Sequence, residues 1–482
     1  MLTYQDFLKV GNNENERMAF VYQAIEAHKS TELYQTAVIA DEYDKHRNRT
    51  ILQYQKILYD VMGRAVPDIW TANYKLASRF FHRFIVQENQ YLLGNGITWQ
   101  EESTADKLGK TFDKQVQKAG KYALMGAVSF GFWNYDHLDV FAVTEYAPLY
   151  DENDGAMKAG IRFWQIDDSK PLRATLYEID GYTDYIWNKR ETKNGEFRLV
   201  SEVLYPKRAY VESYKSTEAD GLTIYEGQNY PSFPIVPLWA NEEKQSEIVG
   251  LREQIDCYDL IKSGYANNVD EASIIYWTLQ NAGGMDDVDL AQFVEKMRKL
   301  HAAQTDDGVS AQPSTMEAPY MSREALLTTL RADLYEDAMA LDTKNIANGA
   351  VTATQIRASY EDLNSKTDEY EYCVCEFLDE ILRLAGIDDK PTFTRSIIVN
   401  RSEEVQILLQ SAQYLPQDYV SEKIITVLGD GDRANELIEQ MNADELNRYN
   451  EQMEQLAILG NETQGEGTEE AQNEVLNGEE EG

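Results

Sequence analysis

The side chains in this chain that could do chemistry fall into a few stretches, and each is short of what its chemistry needs. Leu108-Gly109-Lys110-Thr111 invites comparison with a phosphate-binding loop. That loop needs a second glycine five positions before Gly109, and Thr104 stands there, with no strand leading in. Cys373 and Cys375 are two apart in a helical pattern, so they point to different sides and cannot clamp one metal; core packing is their expected use. His28, His46, His82, His137 and His301 show no ligand spacing and no evident Ser or Cys partner. Asp286, Asp287 and Asp289 could hold a divalent ion, but a charged first turn of the helix that follows explains them more simply. The pair Asp256 and Asp259 lacks a His or basic residue at a spacing that would organise metals for phosphoryl chemistry. No catalytic residue, cofactor or metal is therefore expected.

What remains is architecture. The 482 residues suffice for about three domains. A hydrophobic content of 43%, with 31 Tyr and 7 Trp, is enough for sizeable cores. The formal charge of −38 argues against a basic DNA-gripping surface, because affinity for phosphate comes from Lys and Arg. It is compatible with a passage through which DNA must slide without sticking. Three cysteines suggest a reducing compartment without a disulfide framework. MLTYQDFLKV has no basic region or apolar core, so no signal peptide is expected. The near-apolar run at 123–133 is too short to span a bilayer.

The most constraining stretch is 241–352. Residues 241–268 read as a helix with Ile248, Leu251, Ile255, Tyr258 and Tyr265 on one stripe and Glu242 and Glu243 in its first turn. Such a helix would span roughly 42 Å at ~1.5 Å per residue. Its reverse face carries Glu247, Glu253, Asp256 and Asp259, read as a solvated acidic surface. A second helix starts after Pro319, with Ser322 as N-cap, and runs through Leu326, Leu330, Leu334 and Leu341. Before these, residues 14–60 read as helical, Pro67 precedes a helix faced by Trp70, Tyr74, Leu76, Phe80 and Phe81, and 111–128 form another. Strands are expected at 130–135, 141–150, 161–166, 174–179 and 182–188, with turns at Asp154-Gly155, Asp180-Gly181 and Asn194-Gly195. Between the two long helices come a strand at 274–279 and a helix at 290–301. Beyond them lie a long helix from 353 ended by Gly386, a strand at 393–400, and helices over 402–459 broken at Pro416 and Gly429–Gly431. The tail 461–482 holds eight Glu and no Lys or Arg, a composition that reads as disordered.

Pro237, Asn241, Ile255, Asp256, Tyr258, Asp259 and Ser263, within PIVPLWANEE and QIDCYDLIKS, resemble the signature of the SPP1-type portal proteins of double-stranded DNA phages. REALLTTLRADLYEDAM at 323–339 resembles that family's second stem helix, and DTKNIANGAVT at 342–352 its tunnel loop. Glu242 departs from the pattern, since a second Asn is common there. The resemblance runs over 20–440 in order of elements. It implies an α+β portal fold: an α/β wing (1–240), a two-helix stem (241–270 and 320–341) and a small α/β clip (271–319). A tunnel loop (342–352), a long kinked helix with a return strand (353–400) and an α-helical crown (401–460) follow.

The resemblance further implies a ring of about twelve copies at one capsid vertex, closed by a repeated self-contact. Double-stranded DNA would pass through without sequence reading, driven by the terminase large subunit. Major capsid, scaffolding and head-completion or tail adaptor proteins would be the other partners. The protein would be assembled in the host cytoplasm and end in the virion, with no membrane. Lys344, Asn345, Ile346, Asn348 and Gly349 would face the channel from the tunnel loop, Glu247, Glu253, Asp256 and Asp259 from the stem, and Lys296 and Lys299 would meet the motor. Lys344 could equally pair with Asp342. An acidic cytosolic enzyme with an unrecognised site, or a helical adaptor or scaffold without a channel, would also fit the composition.

Overall fold

In the computed structural model the described residues are 2–59, 62–69, 71–191, 197–216, 223–272, 276–280, 310–314, 320–344, 358–396, 408–429, 431–434 and 436–444. Isolated residues between 286 and 295, and at 355, 405, 447, 448 and 451, complete them. They form two compact units: 1–349 with 359–396, and 350–358 with 397–482.

The first unit opens with α1 (Tyr4–Val10), α2 (Glu14–Lys29), α3 (Glu32–Asp44) and α4 (Arg49–Gln53). The expected run over 14–60 is therefore interrupted. Ser30 and Thr31 donate their hydroxyls to the carbonyls of Glu26 and His28, and Thr31 then caps α3 by accepting from Tyr34 N–H. Residues 57–59 leave the helical pattern altogether as β1 (Ile57–Tyr59), which pairs with β2 (Ala65–Pro67) in a two-stranded hairpin. No helix follows Pro67 directly. Asp68 accepts from Thr71 N–H (3.1 Å), and the chain stays non-helical until α5 (Phe80–Leu93). Phe80, Phe81, Phe84 and Ile85 of α5 are buried, whereas Tyr74 and Leu76 are exposed; Trp70 lies outside the described residues. After β3 (Ile97–Trp99) come α6 (Glu102–Leu108) and α7 (Phe112–Gly126).

The strands are β4 (Val128–Asn134), β5 (His137–Ala142), β6 (Tyr146–Tyr150), β7 (Met157–Trp164), β8 (Leu172–Glu178), β9 (Gly181–Glu191), β10 (Phe197–Arg208), β11 (Val211–Ser216), β12 (Thr223–Gln228) and β13 (Ile235–Trp239). They make an antiparallel meander, β10-β9-β8-β7-β6, a second sheet, β13-β4-β5, and the ribbon β11-β12. Asp154-Gly155 and Asp180-Gly181 do lie at hairpin turns, while Asn194-Gly195 lies outside the described residues. The strand expected over 141–150 is two strands in different sheets, because a turn closed by Glu145 N–H on Ala142 C=O redirects the chain.

One core sits between the meander and α2, with Phe7, Val21 and Ile25 against Ile161, Phe163 and Trp187. Another joins α5, α7 and β4, β5 and β13 to a helix from late in the chain, α10 (Glu361–Ala385). Gly131 is needed there: a Cβ would stand 2.5 Å from Phe377 Cζ. Gly386 ends α10 in the left-handed region (φ 70°), as its position in the sequence implies.

Residues 241–250 do not begin a helix. Ala240 N–H and Glu247 N–H donate to Ala127 and Leu124, and Ser246 Oγ donates to Met125, so this segment satisfies carbonyls at the C-terminus of α7. Asn241 exchanges two bonds with the Gln245 backbone, and α8 runs only from Arg252 to Ala272. Its 21 residues span about 31 Å at ~1.5 Å each. β14 (Tyr276–Gln280) pairs with β15 (Ser310–Ser314), a strand not expected from the sequence. The helix expected over 290–301 falls largely outside the described residues, with Lys296 and Lys299 among the omitted positions. α9 (Tyr320–Asp337) packs on α8; Ser322 lies inside it rather than at its N-cap, and Leu341 lies beyond its end. β16 (Pro391–Phe393) pairs with β3, at the start of the strand expected over 393–400.

In the second unit, α11 (Gln417–Leu428) lies between Pro416 and Gly429, the breaks read from the sequence. The tail 461–482 lies outside the described residues.

Candidate functional site

Four polar residues of α8 step by three and four along one face: Asp256, Asp259, Ser263 and Asn267. Each is spent on the N-terminal part of the same chain. Asp256 accepts from Tyr43 Oη and from Thr50 Oγ1 (2.6 Å). Asp259 is fully buried and accepts from Asn48 Nδ2 at 2.5 Å. Ser263 Oγ accepts from Leu76 N–H (2.9 Å), and Asn267 Oδ1 from Tyr74 N–H (2.7 Å). The seam thus clamps residues 43–50 and 74–76, the two ends of the segment that carries the β1–β2 hairpin. Burial raises the Asp259 carboxyl above its usual range, and burial with the adjacent Asp256 pushes Tyr43 up to about 12.

This corrects the reading of Glu247, Glu253, Asp256 and Asp259 as one solvated wall. Asp256 and Asp259 turn into the subunit because segment 43–78 packs along α8, and Glu247 is turned in by Lys366. Glu253 alone of the four is exposed.

Lys366 of α10 forms a second node. Its Nζ lies 2.9 Å from Glu88 Oε2 on α5 and 2.5 Å from Glu247 Oε2, and donates to Ala338 C=O at 3.3 Å. One ammonium therefore joins α5, the segment before α8, the end of α9, and α10. Burial pushes the Glu88 carboxyl up, to about 7, against the pull of Lys366. Burial alone would depress the Lys366 ammonium, but the fields of Glu88 and Glu247 outweigh it, and its pKa is raised.

Above this node a groove of about 840 Å³ runs between α8 and α9, lined by Tyr258, Tyr265, Arg331, Tyr335 and Lys344 among others. Gln87 of α5 fixes the start of the following loop with two bonds to the Leu341 backbone (3.1 and 3.2 Å). Asp342 is held by Arg331 Nη2 (2.8 Å) and by Lys344 N–H (3.1 Å). The Lys344 side chain is exposed, and its ammonium makes no ion pair among the described residues. Asn345, Ile346, Asn348 and Gly349 lie outside those residues.

The residues first weighed for chemistry have structural uses. Gly109 (φ 86°) turns the chain from α6 to α7, with no strand leading in. Burial pushes both Cys373 and Cys375 up to about 11, which keeps them neutral thiols, and Cys373 packs on the core. His28 is buried with Nε2 2.8 Å from Val143 O, its pKa lowered by burial, while His82 and His137 sit beside Asp44 and Asp136. Asp286 accepts from the N–H groups of Val288 and Asp289, a turn that opens a helix. Ser263 and Asn267 were findable in the sequence, since they continue the spacing of Asp256 and Asp259. Glu88 and Lys366, 278 positions apart, carry no local signal.

A family model described as phage portal protein, SPP1 Gp6-like, matches residues 22–451. The portal protein of Clostridium phage phiCD119 is 22% identical over 417 residues, covering 77% of this chain and 88% of that protein. The portal protein of Bacillus phage SPP1 is 22% identical over 396 residues, covering 74% and 73%. Among solved structures, a chain in the neck of a native gene transfer agent particle computed with C12 symmetry is similar at TM-score 0.40 and 10% identity, over 73% of this chain and 89% of that one. A chain of the native gene transfer agent virion is similar at TM-score 0.42, with 10% identity, over 73% and 90%.

Proposed function

We propose the following from the premise that this chain belongs to the SPP1 Gp6-like family of phage portal proteins, which its match over residues 22–451 establishes. It forms a ring-shaped channel at one capsid vertex, through which genomic DNA is packaged by the terminase motor and later ejected, and to which tail or adaptor proteins attach. About twelve copies close the ring by one repeated contact. The chain supplies the conduit, and a separate ATPase supplies the work. Its place is the virion, after assembly in host cytoplasm.

The observation that carries this reading is the family match together with the disposition of 241–344. Two long helices, α8 and α9, pack on each other, and the strands β14 and β15 pair in the interval between them. We assign α8 and α9 to the stem, the interval 271–319 to the clip, 342–352 to the tunnel loop, the sheets and N-terminal helices to the wing, and 401–460 to the crown. Within the clip, Lys296 and Lys299 are the proposed motor contacts. In the tunnel loop, Lys344, Asn345, Ile346, Asn348 and Gly349 are the proposed channel lining; on the stem, Glu253 is.

Negative-stain imaging of the purified full chain tests the reading: holed rings are expected, and monomers at every concentration and inside procapsids would end it. Lys344 gives a sharper test. Its carboxylate neighbour Asp342 is already engaged by Arg331, so Lys344→Glu should leave rings and melting behaviour unchanged. The amount or retention of packaged DNA should change, read by nuclease protection in a packaging reaction. Normal packaging would remove Lys344 from the channel, and dissolved rings would make it a subunit contact instead.

A further inference from the structure

The hairpin that the α8 seam holds in place has almost nothing of its own to pack on. Ile57 (58%), Tyr59 (74%), Met62 (78%) and Ile69 (78%) are exposed, and Leu58, the neighbour of both strand ends, is too. Every residue of β1 is exposed, so both faces of the hairpin are open. A lone two-stranded hairpin is marginal in water, and an apolar patch of this kind on a soluble protein marks a contact. Its two ends are nevertheless pinned by Asp256, Asp259, Ser263 and Asn267. The arm is held firmly at its base and presented.

Charge identifies what it meets. Residues 45–83 contain eight Lys or Arg and two Asp, a net of +6 in a chain of −38, so the remainder of the chain carries −44. Arg47, Arg64, Lys75 and Arg79 of this stretch are exposed. Copies of so acidic a chain repel one another, and a closed assembly needs a contact that offsets this. A basic, apolar arm laid on the acidic surface of the next copy does so. DNA would match the charge but leave Ile57, Leu58, Met62 and Ile69 unused.

We propose that the 54–76 arm is an intersubunit clasp: it docks on a second copy of this chain and carries a main share of the contact that closes the ring. The inference rests on the ring reading above and specifies its contact.

The test places a photocrosslinking benzoylphenylalanine at Tyr59 in the full chain and irradiates it with and without duplex DNA. Covalent dimers and higher ladders of this chain are expected, with peptide mapping joining residue 59 to another copy. In parallel, Ile57→Asp with Tyr59→Asp should raise the concentration needed for rings about tenfold or more, the scale of losing one buried apolar side chain. The melting of the separate subunit should not change, since both side chains are exposed there. Rings that form at the usual concentration in the double variant, or adducts to DNA or within one chain only, overturn the clasp and leave the ring reading intact. A wild-type chain that never forms rings overturns both.

Discussion

Replacing Lys366 with Met should lower the stability of the folded subunit by about 3–5 kcal/mol, the scale for removing one partner from a buried ion pair. Met fills much of the same volume, so the loss comes from charge rather than from a cavity. Glu88 is 3% exposed, and without the ammonium it and Glu247 face each other across a dry junction. Urea denaturation monitored by Trp fluorescence reads this directly, and a change under 1 kcal/mol would show that the triad is not the junction's main tie. Glu88 supplies the sign of the pH dependence. Its carboxyl titrates higher folded than unfolded, so its contribution is full below the ordinary Glu range near 4.5 and is lost as pH rises through about 7. Glu88→Gln should therefore flatten the fall in stability between those values. An unchanged slope would exclude Glu88 as its source.

Asp259→Ala should cost about 1–3 kcal/mol and Glu253→Ala close to nothing. The two stand on the same helix, and a solvated acidic wall would make them equivalent. They differ because Asn48 Nδ2 loses its buried acceptor in the first variant and no partner is stranded in the second. Loss of Asp259 also loosens one end of the hairpin arm, so limited proteolysis should cut within 54–76 faster in this variant. Equal stabilities for the two variants would return Asp259 to the solvent side.

Local signals made much of the architecture legible. Asp154-Gly155, Asp180-Gly181, Gly386, Pro416 and Gly429 mark real ends and turns because their backbone preferences act over a few residues. The misread places are those where a distant partner outweighs local preference. Residues 241–250 carry helix-compatible side chains, yet their N–H groups go to the end of α7. The acids of α8 looked solvated because charge usually is, and the amides and hydroxyls that claim them lie roughly 200 positions earlier. Spacing revealed which residues share a face, but it cannot reveal what that face meets. Ser263 and Asn267 were the available hint, since uncharged polar residues continuing the acidic stripe favour a bonded seam over open water.

The packing of α10 against Gly131 sets an order of events during synthesis. The meander and α2 close their core from residues 7–187 alone, but the surface of β4 that receives Phe377 is made about 250 residues before Phe377 exists. At ~5–20 residues per second, that surface waits uncovered on the ribosome for roughly 12–50 s. Through that interval Phe80, Phe84, Leu124 and Trp133 belong to a half-built core. The newborn chain is then most exposed to chaperones and proteases, and this is settled by where α10 lies in the gene rather than by how well it fits.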